Sequence, residues 1–306
     1  MNARDGVAVH RHEVLIADLR ARIEQMLAEA TPGEPAPQRL GAAMRYSLLA
    51  SAKRVRGLLT VLCTVYCGGA IDQALPAACA LEMVHTASLI LDDLPAMDDA
   101  KLRRGQHACH RAHGEATAML AAIALMNRAY AIVAGTPGIG SEQRARIVGV
   151  LAHAIGTDGL TGGQEADLHG AGLADAAEVE WIHARKTGAL FAAATEISAI
   201  IAGAEQQRET LREFGMQLGL AFQAYDDLLD SRAASAAIGK DTGADARKVT
   251  LVSLLGFASA LQRAEAQMAA ALESCPGLRG DETALGHYLA LLVAQMQAPL
   301  GLDTVR

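Results

Sequence analysis

The sequence contains few of the residues that build sheets, cross-links or nucleic-acid contacts. Aromatic residues make up only 3% of its 306 residues, and runs of Val, Ile, Tyr and Phe are scarce beside abundant Ala and Leu. This composition predicts a mostly helical chain. A net charge of −7 argues against nucleic acid as a partner. Five cysteines in a chain of this length do not suggest a disulfide framework, so we expect a reducing, cytoplasmic setting.

The pattern also offers no signal peptide and no convincing membrane span. The N-terminal sequence MNARDGVAVHRHEV is polar and lacks the apolar core of a signal sequence. The apolar run 57–71 is short and contains Gly68 and Gly69, and the run 187–204 carries Glu196 in its middle. Both runs are typical of buried helices, so we expect no membrane span.

Apolar residues recur at helical spacing along most of the chain. Neither a repeat nor a domain linker is evident, so we expect one all-α domain over residues 1–306, with about residues 1–12 disordered. The small, polar stretch 233–248 is typical of a mobile lid. The predicted helices are 14–30, 38–50, 58–67, 75–91, 115–133, 144–155, 176–184, 186–201, 209–230, 251–273 and 282–297.

The stretch LEMVHTASLILDDLPAMDDAKLRRG, residues 81–105, predicts an apolar helix that ends in clustered charge. Burying unpaired charge is costly, but a divalent metal on the Asp side and a phosphate on the Arg side would remove the difficulty. Pro95 should kink or end the helix, so that Asp92 and Asp98 reach the same ions. Oxygen ligands favour Mg²⁺. The alternative is a solvated helix end of mixed charge. The charged residues are Asp92, Asp93, Asp98, Asp99, Lys101, Arg103 and Arg104.

A second carboxylate cluster lies in FQAYDDLLD, residues 222–230. Asp226 and Asp230 are four residues apart and share one helix face, and Gln223 lies one turn before Asp227. One such motif is a weak signal. Two motifs on separate helices, with cations elsewhere, predict a cavity that holds a diphosphate through several Mg²⁺ ions.

These motifs resemble those of the trans-isoprenyl diphosphate synthases, the polyprenyl synthetase family. The resemblance extends from about residue 38 to residue 256 and is nearest to bacterial geranylgeranyl diphosphate synthases. It implies a single-domain, isoprenoid-synthase-type helical bundle around a deep central cavity, and usually a homodimer. The matching segments are DDLPAMD at 92–98, LRRG at 102–105, GQxxDL at 163–168, KTG at 186–188, Gly239-Lys240 and FQAYDDLLD at 222–230.

The resemblance implies a prenyltransferase that joins isopentenyl diphosphate to dimethylallyl, geranyl or farnesyl diphosphate and releases diphosphate. Three Mg²⁺ ions, which Mn²⁺ can replace, would bridge the allylic diphosphate to both Asp clusters. By the family match, the metal ligands are Asp92, Asp98 and Asp226, with Asp93, Asp227 and Asp230 as outer ligands or groups that orient water.

The resemblance also assigns the residues that contact the substrates. Thr187 and Gln223 would line the place where positive carbon develops, and Lys248 would act from the lid. The residues matched to the allylic diphosphate are Arg103, Lys186 and Lys240. The residues matched to isopentenyl diphosphate are Lys53, Arg56, His85 and Arg104.

Two histidine assignments have alternatives. A lone histidine on an apolar helix is usually a core residue, but His85 lies two turns before Asp92 on roughly the same face. The segment HACHRAH, residues 107–113, has Cys109 and His113 at zinc-like spacing, but no second cluster completes four ligands.

Product length should depend on the helix that precedes Asp92. Ala87 and Ser88 are small, whereas farnesyl-producing bacterial relatives commonly have an aromatic residue at the first of these positions. The missing ring opens about one more turn, roughly 5 Å. Val84 and Met83 would then close the pocket. We therefore expect a C20 product, with farnesyl diphosphate (C15) as the alternative.

Some residues depart from the family pattern. The usual GGKxxRP is replaced here by Ser51-Ala52-Lys53-Arg54-Val55-Arg56-Gly57, which keeps both ligand cations but loses the glycines and the proline. The rival functions are a class I terpene cyclase, a non-catalytic partner subunit and a helical interaction protein. Two intact Asp motifs with matching cations disfavour all three.

Overall fold

Good helix formers dominate the sequence, and the computed structural model is helical over nearly all the residues it describes. These are residues 3–31, 37–169, 175–237, 249–275 and 282–302, with the side chains of 3–8 and 233–237 excluded. They fall into two compact units. The Asp92 unit comprises Val14–Leu151 and Ile197–Glu205, and the Asp226 unit comprises Met1–Glu13, Ala152–Glu196 and Gln206–Arg306.

The Asp92 unit is built around a helix that is apolar on all sides. This helix, α4, packs against α3 and α6, and α2 covers α6. A helix without a polar face belongs in a core. The C-terminal end of α4 is Asp92, so the first Asp motif begins where this core helix ends. The elements in this part of the chain are α1 Ala3–Ala30, α2 Gln38–Leu48, α3 Val55–Tyr66, α4 Ile71–Asp92, β1 Leu102–Arg103, β2 Gln106–His107, α5 Cys109–His113, α6 Glu115–Ala134 and α7 Ser141–Ile155.

The Asp226 unit is organised by its longest helix, α11. This helix packs against α13 and α9, and against a π-helical turn, Ala184–Gly188, that precedes α10. The elements are α8 Leu160–His169, α9 Ala176–His183, α10 Ala189–Ala202, α11 Arg208–Ala237, α12 Leu251–Leu255, α13 Phe257–Ser274 and α14 Ala284–Gln297, with 3₁₀ turns at Glu205–Gln207 and Ala298–Leu300.

The all-α prediction is confirmed, and most predicted helices are present within a few residues of their expected ends. The N-terminus differs, because α1 begins at Ala3 where the sequence predicts disorder. Part of the reason is tertiary, since the His12 ring lies 5.9 Å from the His287 ring of α14. The predicted helix 251–273 is interrupted at Gly256, which has a φ of +77°. Most of the predicted lid, residues 238–248, lies outside the described residues.

Within the part of the chain that the structure describes, two helices are long and apolar enough to cross a membrane by length and composition, α4 and α6. The most apolar window of α4 is 83% buried within the protein, as expected of a core helix, whereas that of α6 is 33% buried.

Candidate functional site

The chain turns sharply after α4, between the two carboxylates predicted to share metal ions. Helix α4 ends at Asp92, and the backbone N–H of Asp98 donates to the carbonyl oxygen of Asp92 at 2.9 Å. Pro95, which cannot continue a helix, lies inside this turn. Asp92 is half-buried and Asp98 is exposed. The predicted bend is therefore present, and it brings the backbone of Asp98 back to the helix end.

Asp93 has a different environment from its neighbour. Its carboxylate is buried and accepts hydrogen bonds from Arg103, from Nε at 3.0 Å and from Nη2 at 2.5 Å. The hydrogen bond that Arg103 donates to Asp93 raises the pKa of Arg103. Asp93 thus orients Arg103 from the β1–β2 hairpin. This contact was not predicted, because the sequence suggested only a metal or water role for Asp93.

His85 lies among arginines. Burial lowers its pKa well below the usual value, and Arg56, Arg104, Arg103 and Arg54 lower it further. The imidazole is therefore neutral at pH 7. Three of the four residues matched to isopentenyl diphosphate are thus within electrostatic reach of one another. Such a field is suited to a doubly or triply charged diphosphate.

The fourth residue of this group, Lys53, is exposed on the segment that joins α2 to α3. Arg56 is buried in the first turn of α3. The glycines and the proline of the family pattern are missing here, but Lys53 and Arg56 still lie next to the start of one helix.

The residues predicted to set product length are all buried in α4: Met83, Val84, Ala87 and Ser88. Ser88 donates its hydroxyl proton to the carbonyl oxygen of His85 at 2.9 Å, so its polar group is satisfied within the helix. Apart from the Ser88 hydroxyl, these four buried side chains are apolar.

In the Asp226 unit, the KTG motif lies in the π-helical turn rather than in regular helix. Such turns are uncommon and often occur at functional sites. Close approach of glycines fixes its position. A Cβ on Gly163 would lie 2.5 Å from the backbone nitrogen of Lys186, and one on Gly219 would lie 2.7 Å from Cα of Gly188.

A chain of hydrogen bonds links this turn to the second Asp motif. Thr187 donates to Oε1 of Gln223 at 2.8 Å, and Nε2 of Gln223 donates to Oδ1 of Asp227 at 3.2 Å. Asp227 also accepts from the backbone N–H of Leu251 at 3.4 Å, and Nε2 of His183 lies 3.6 Å from its Oδ2. Burial lowers the pKa of His183, against an opposing effect of Asp227.

Asp226 and Asp230 differ from Asp227 because they are not buried. Asp226 is half-buried and Asp230 is exposed. Their spacing puts them on one face of α11, as predicted from the sequence. Asp227 points into the unit and accepts the hydrogen bond from Gln223 that ends the Thr187–Gln223 chain.

Lys186 already has a carboxylate partner. Its Nζ lies 2.5 Å from Oδ2 of Asp167, which comes from the GQxxDL segment in α8. Asp167 and His183 were not singled out from the sequence. Asp167 could have been found through its motif, whereas the only signal for His183 is its position three residues before Lys186.

The Polyprenyl synthetase family model matches residues 37–284, which contain both Asp motifs and all the candidate residues described above. The chain belongs to the polyprenyl synthetase family. The motifs alone indicate this family, and the match confirms it.

Curated members of the polyprenyl synthetase family are similar over most of the chain. The geranylgeranyl diphosphate synthase of Pantoea ananas is 43% identical over 248 residues, covering 80% of each chain. The chloroplastic geranylgeranyl pyrophosphate synthase of Catharanthus roseus is 42% identical over 267 residues, covering 83% of this chain and 74% of the relative. The crystal structure of an FPP/GFPP synthase from Zymomonas mobilis is 31% identical with a TM-score of 0.82, covering 94% of this chain and 100% of that one. The fold is therefore an isoprenoid-synthase fold.

Polyprenyl synthetases use divalent metal ions. Among the described residues, no group of three or more His, Cys, Asp or Glu side chains converges on a metal position. The candidate donors still fit a hard cation, because Mg²⁺ typically takes one or two carboxylates and completes its shell with water and substrate phosphate. Cys109, considered above as a possible zinc ligand, directs its sulfur toward the carbonyl oxygen of Ala43, at 3.9 Å. Lys240 and Lys248 lie outside the described residues.

Proposed function

We propose that this protein condenses isopentenyl diphosphate with an allylic diphosphate and releases diphosphate, with geranylgeranyl diphosphate as the product. The observation that carries the proposal is the Polyprenyl synthetase match over residues 37–284, within which both Asp motifs are intact. Relatives named geranylgeranyl diphosphate synthase support the C20 product. The test is incubation with isopentenyl diphosphate, Mg²⁺ and each of the C5, C10 and C15 primers, followed by sizing of the product.

Mg²⁺ is the proposed metal, held through Asp92, Asp98 and Asp226, with Asp230 as an outer ligand. When bound, it would neutralise the diphosphate charge that grows as the allylic C–O bond breaks. The proposal assigns both Asp motifs to the same diphosphate, on the strength of the motifs and the family. Removal of divalent metal by a chelator should abolish turnover, and added Mg²⁺ should restore it.

On the allylic side, Arg103, Lys186 and Lys240 are proposed to hold the diphosphate, with Arg103 oriented by Asp93 and Lys186 by Asp167. The Thr187 hydroxyl and the Gln223 amide would present oxygen dipoles to the carbon that becomes positive. Positive side chains that face the leaving group stabilise charge where it develops, which is the largest single contribution to many such reactions.

On the other side, Lys53, Arg56, His85 and Arg104 are proposed to hold isopentenyl diphosphate, and Lys248 to act from the lid. The isopentenyl double bond then forms the new C–C bond to the allylic carbon, which leaves a positive charge on the isopentenyl part. One proton leaves the carbon next to that positive carbon. We propose that the departing diphosphate takes this proton. An allylic substrate with a non-basic leaving group should then fail to elongate, and normal elongation would reject this route.

A farnesyl (C15) product is the alternative, and a structural neighbour described as an FPP/GFPP synthase gives it a specific basis. The small residues Ala87 and Ser88 support the longer product, because they leave room for another isoprene unit before Val84 and Met83. A C15 product from the wild-type enzyme would reject the C20 assignment and keep the reaction class. The second motif, DDxxD rather than the Asn/Ser/Glu type of terpene cyclases, supports a synthase.

We also propose a homodimer that forms through α6. Met119, Leu120 and Ile123 are 43%, 57% and 54% exposed on one face of this helix. Asn127 and Arg128 are exposed on the same helix, which makes lipid an unsuitable occupant. Light scattering should report a dimer, and Leu120→Glu with Ile123→Glu should give a monomer. Val14→Glu, at a residue 56% exposed on α1, is the control and should stay dimeric.

A cytoplasmic location is proposed from the cysteines. All five are free thiols, and four of them are buried. Fractionation of the producing cells should place the activity with the soluble contents. Recovery of the activity in an oxidising compartment would contradict the proposal.

A further inference from the structure

The segment between α2 and α3 carries two cations that face different environments. Lys53 is exposed, whereas the side chain of Arg54 is 0% exposed. Arg54 also has a φ of +53°, in the left-handed region that non-glycine residues rarely adopt. A strained backbone with an inward-facing guanidinium requires strong contacts to hold it.

Arg54 makes contacts that tie three helices together. Its Nε donates to Oε1 of Glu24 in α1 at 2.7 Å, and its Nη2 donates to the carbonyl oxygen of Leu48, at the end of α2, at 2.7 Å. Its Nη1 lies 3.7 Å from Oε2 of Glu82 in α4. The charge of this buried arginine is therefore matched by two carboxylates.

Glu82 connects the same network to the start of α3. Its Oε1 accepts a hydrogen bond from the backbone N–H of Gly57 at 2.9 Å. The family pattern GGKxxRP has proline at this position, and proline has no N–H to donate. A Cβ at Gly57 would also lie 3.2 Å from Cγ of Glu82. Glycine here thus permits a contact that the usual residue excludes.

The network lies beside the proposed isopentenyl diphosphate ligands. Burial and Arg54 lower the pKa of Arg104, and Glu82 raises it. Arg54 also lowers the pKa of His85, which follows Glu82 by three residues in α4. A shift of Arg54 or Glu82 would therefore change both the position of Arg56 and the field at Arg104 and His85.

We propose that Arg54, Glu82 and Gly57 form a positioning network that holds Lys53 and Arg56 in the orientation needed for isopentenyl diphosphate. This inference rests on the proposed function. In this chain the Gly57–Glu82 contact takes the place of the proline in the family pattern. Buried ion pairs contribute little net stability but specify geometry in several systems, so the expected effect is on substrate binding.

The test compares Glu82→Gln, Gly57→Pro, Gly57→Ala and the milder Arg54→Lys in steady-state kinetics with both substrates varied. We expect KM for isopentenyl diphosphate to rise about tenfold or more in Glu82→Gln and Gly57→Pro. KM for the allylic primer and kcat should change by less than about threefold. Gly57→Ala keeps the N–H donor and should show a smaller rise, because only steric crowding acts on Glu82.

The matched control is Glu196→Gln, which breaks the pair between Glu196 and Arg208, 2.6 Å apart, in the Asp226 unit. It should leave KM for isopentenyl diphosphate unchanged. An unchanged KM in folded Glu82→Gln and Gly57→Pro would overturn the inference. The inference would also be overturned if both KM values rose and kcat fell to the same extent, in step with a fall in Tm. That result would indicate a purely structural role. If the wild-type enzyme makes no product, the proposed function itself fails.

Discussion

At the scale of single residues, Ala87 gives the most direct test of product length. Ala87→Phe puts a ring into the proposed chain pocket one turn or more before Asp92, so the product should shorten from C20 toward C15. Adding bulk to a buried site should also cost about 1–3 kcal/mol of stability. Product sizing by chromatography checks the length. Ala80→Phe, two turns deeper and equally buried, is the control and should keep C20. An unchanged product from Ala87→Phe would reject this pocket floor.

His85 gives a prediction for pH dependence in the substrate-free protein. Its pKa is lowered in the folded state, so the unfolded chain binds the proton more readily. The stability that depends on neutral His85 is fully present above about pH 6.5 and is lost as the pH falls toward the folded-state pKa. Urea unfolding should show a steeper decline between about pH 7 and pH 5 for the wild type than for His85→Gln. Equal slopes would contradict the assignment of a neutral imidazole with a lowered pKa.

At the scale of elements, the contact between α8 and the π-helical turn should control the position of Lys186. Gly163→Ala would put a methyl group 2.5 Å from the Lys186 backbone nitrogen, so one of the two elements must move. We expect kcat to fall at least about tenfold while the protein stays folded, because small misplacements at a reacting centre are costly. Activity and Tm are measured together.

Gly149→Ala in α7 is the matched control, because a Cβ there meets nothing within 4 Å. Replacing a helical glycine by alanine should stabilise the protein by roughly 0.5–1 kcal/mol without changing kcat. Full activity in Gly163→Ala would show that the π-helical turn tolerates displacement.

The elements also show where sequence reasoning succeeds. The apolar helix before Asp92, the turn at Pro95 and the shared face of Asp226 and Asp230 follow from periodicity and proline chemistry, and each is present. The π-helical turn and the pairing of Asp93 with Arg103 could not be predicted, because both depend on tertiary contacts rather than spacing. The early start of α1 was missed for the same reason, since contacts such as that between His12 and His287 lie far apart in sequence.

At the scale of the whole molecule, the proposal that both Asp motifs serve one diphosphate can be tested without a ligand structure. Asp92→Asn and Asp226→Asn should each lower kcat by at least about a hundredfold. If both act on the same leaving group, the double variant should lose less than the product of the single effects. Single-turnover kinetics gives the comparison, and strictly multiplicative losses would indicate independent sites.

The pairs Arg103–Asp93 and Lys186–Asp167 have a consequence for turnover. Each of these cations, proposed to receive the diphosphate, has an acidic neighbour before any substrate arrives. An incoming anion must share the cation with that neighbour, so part of the attraction is offset in the free enzyme. The same competition should weaken binding of the inorganic product and so speed its release. An enzyme that releases a highly charged by-product in every cycle gains more from a moderate affinity for that by-product than from the highest possible one.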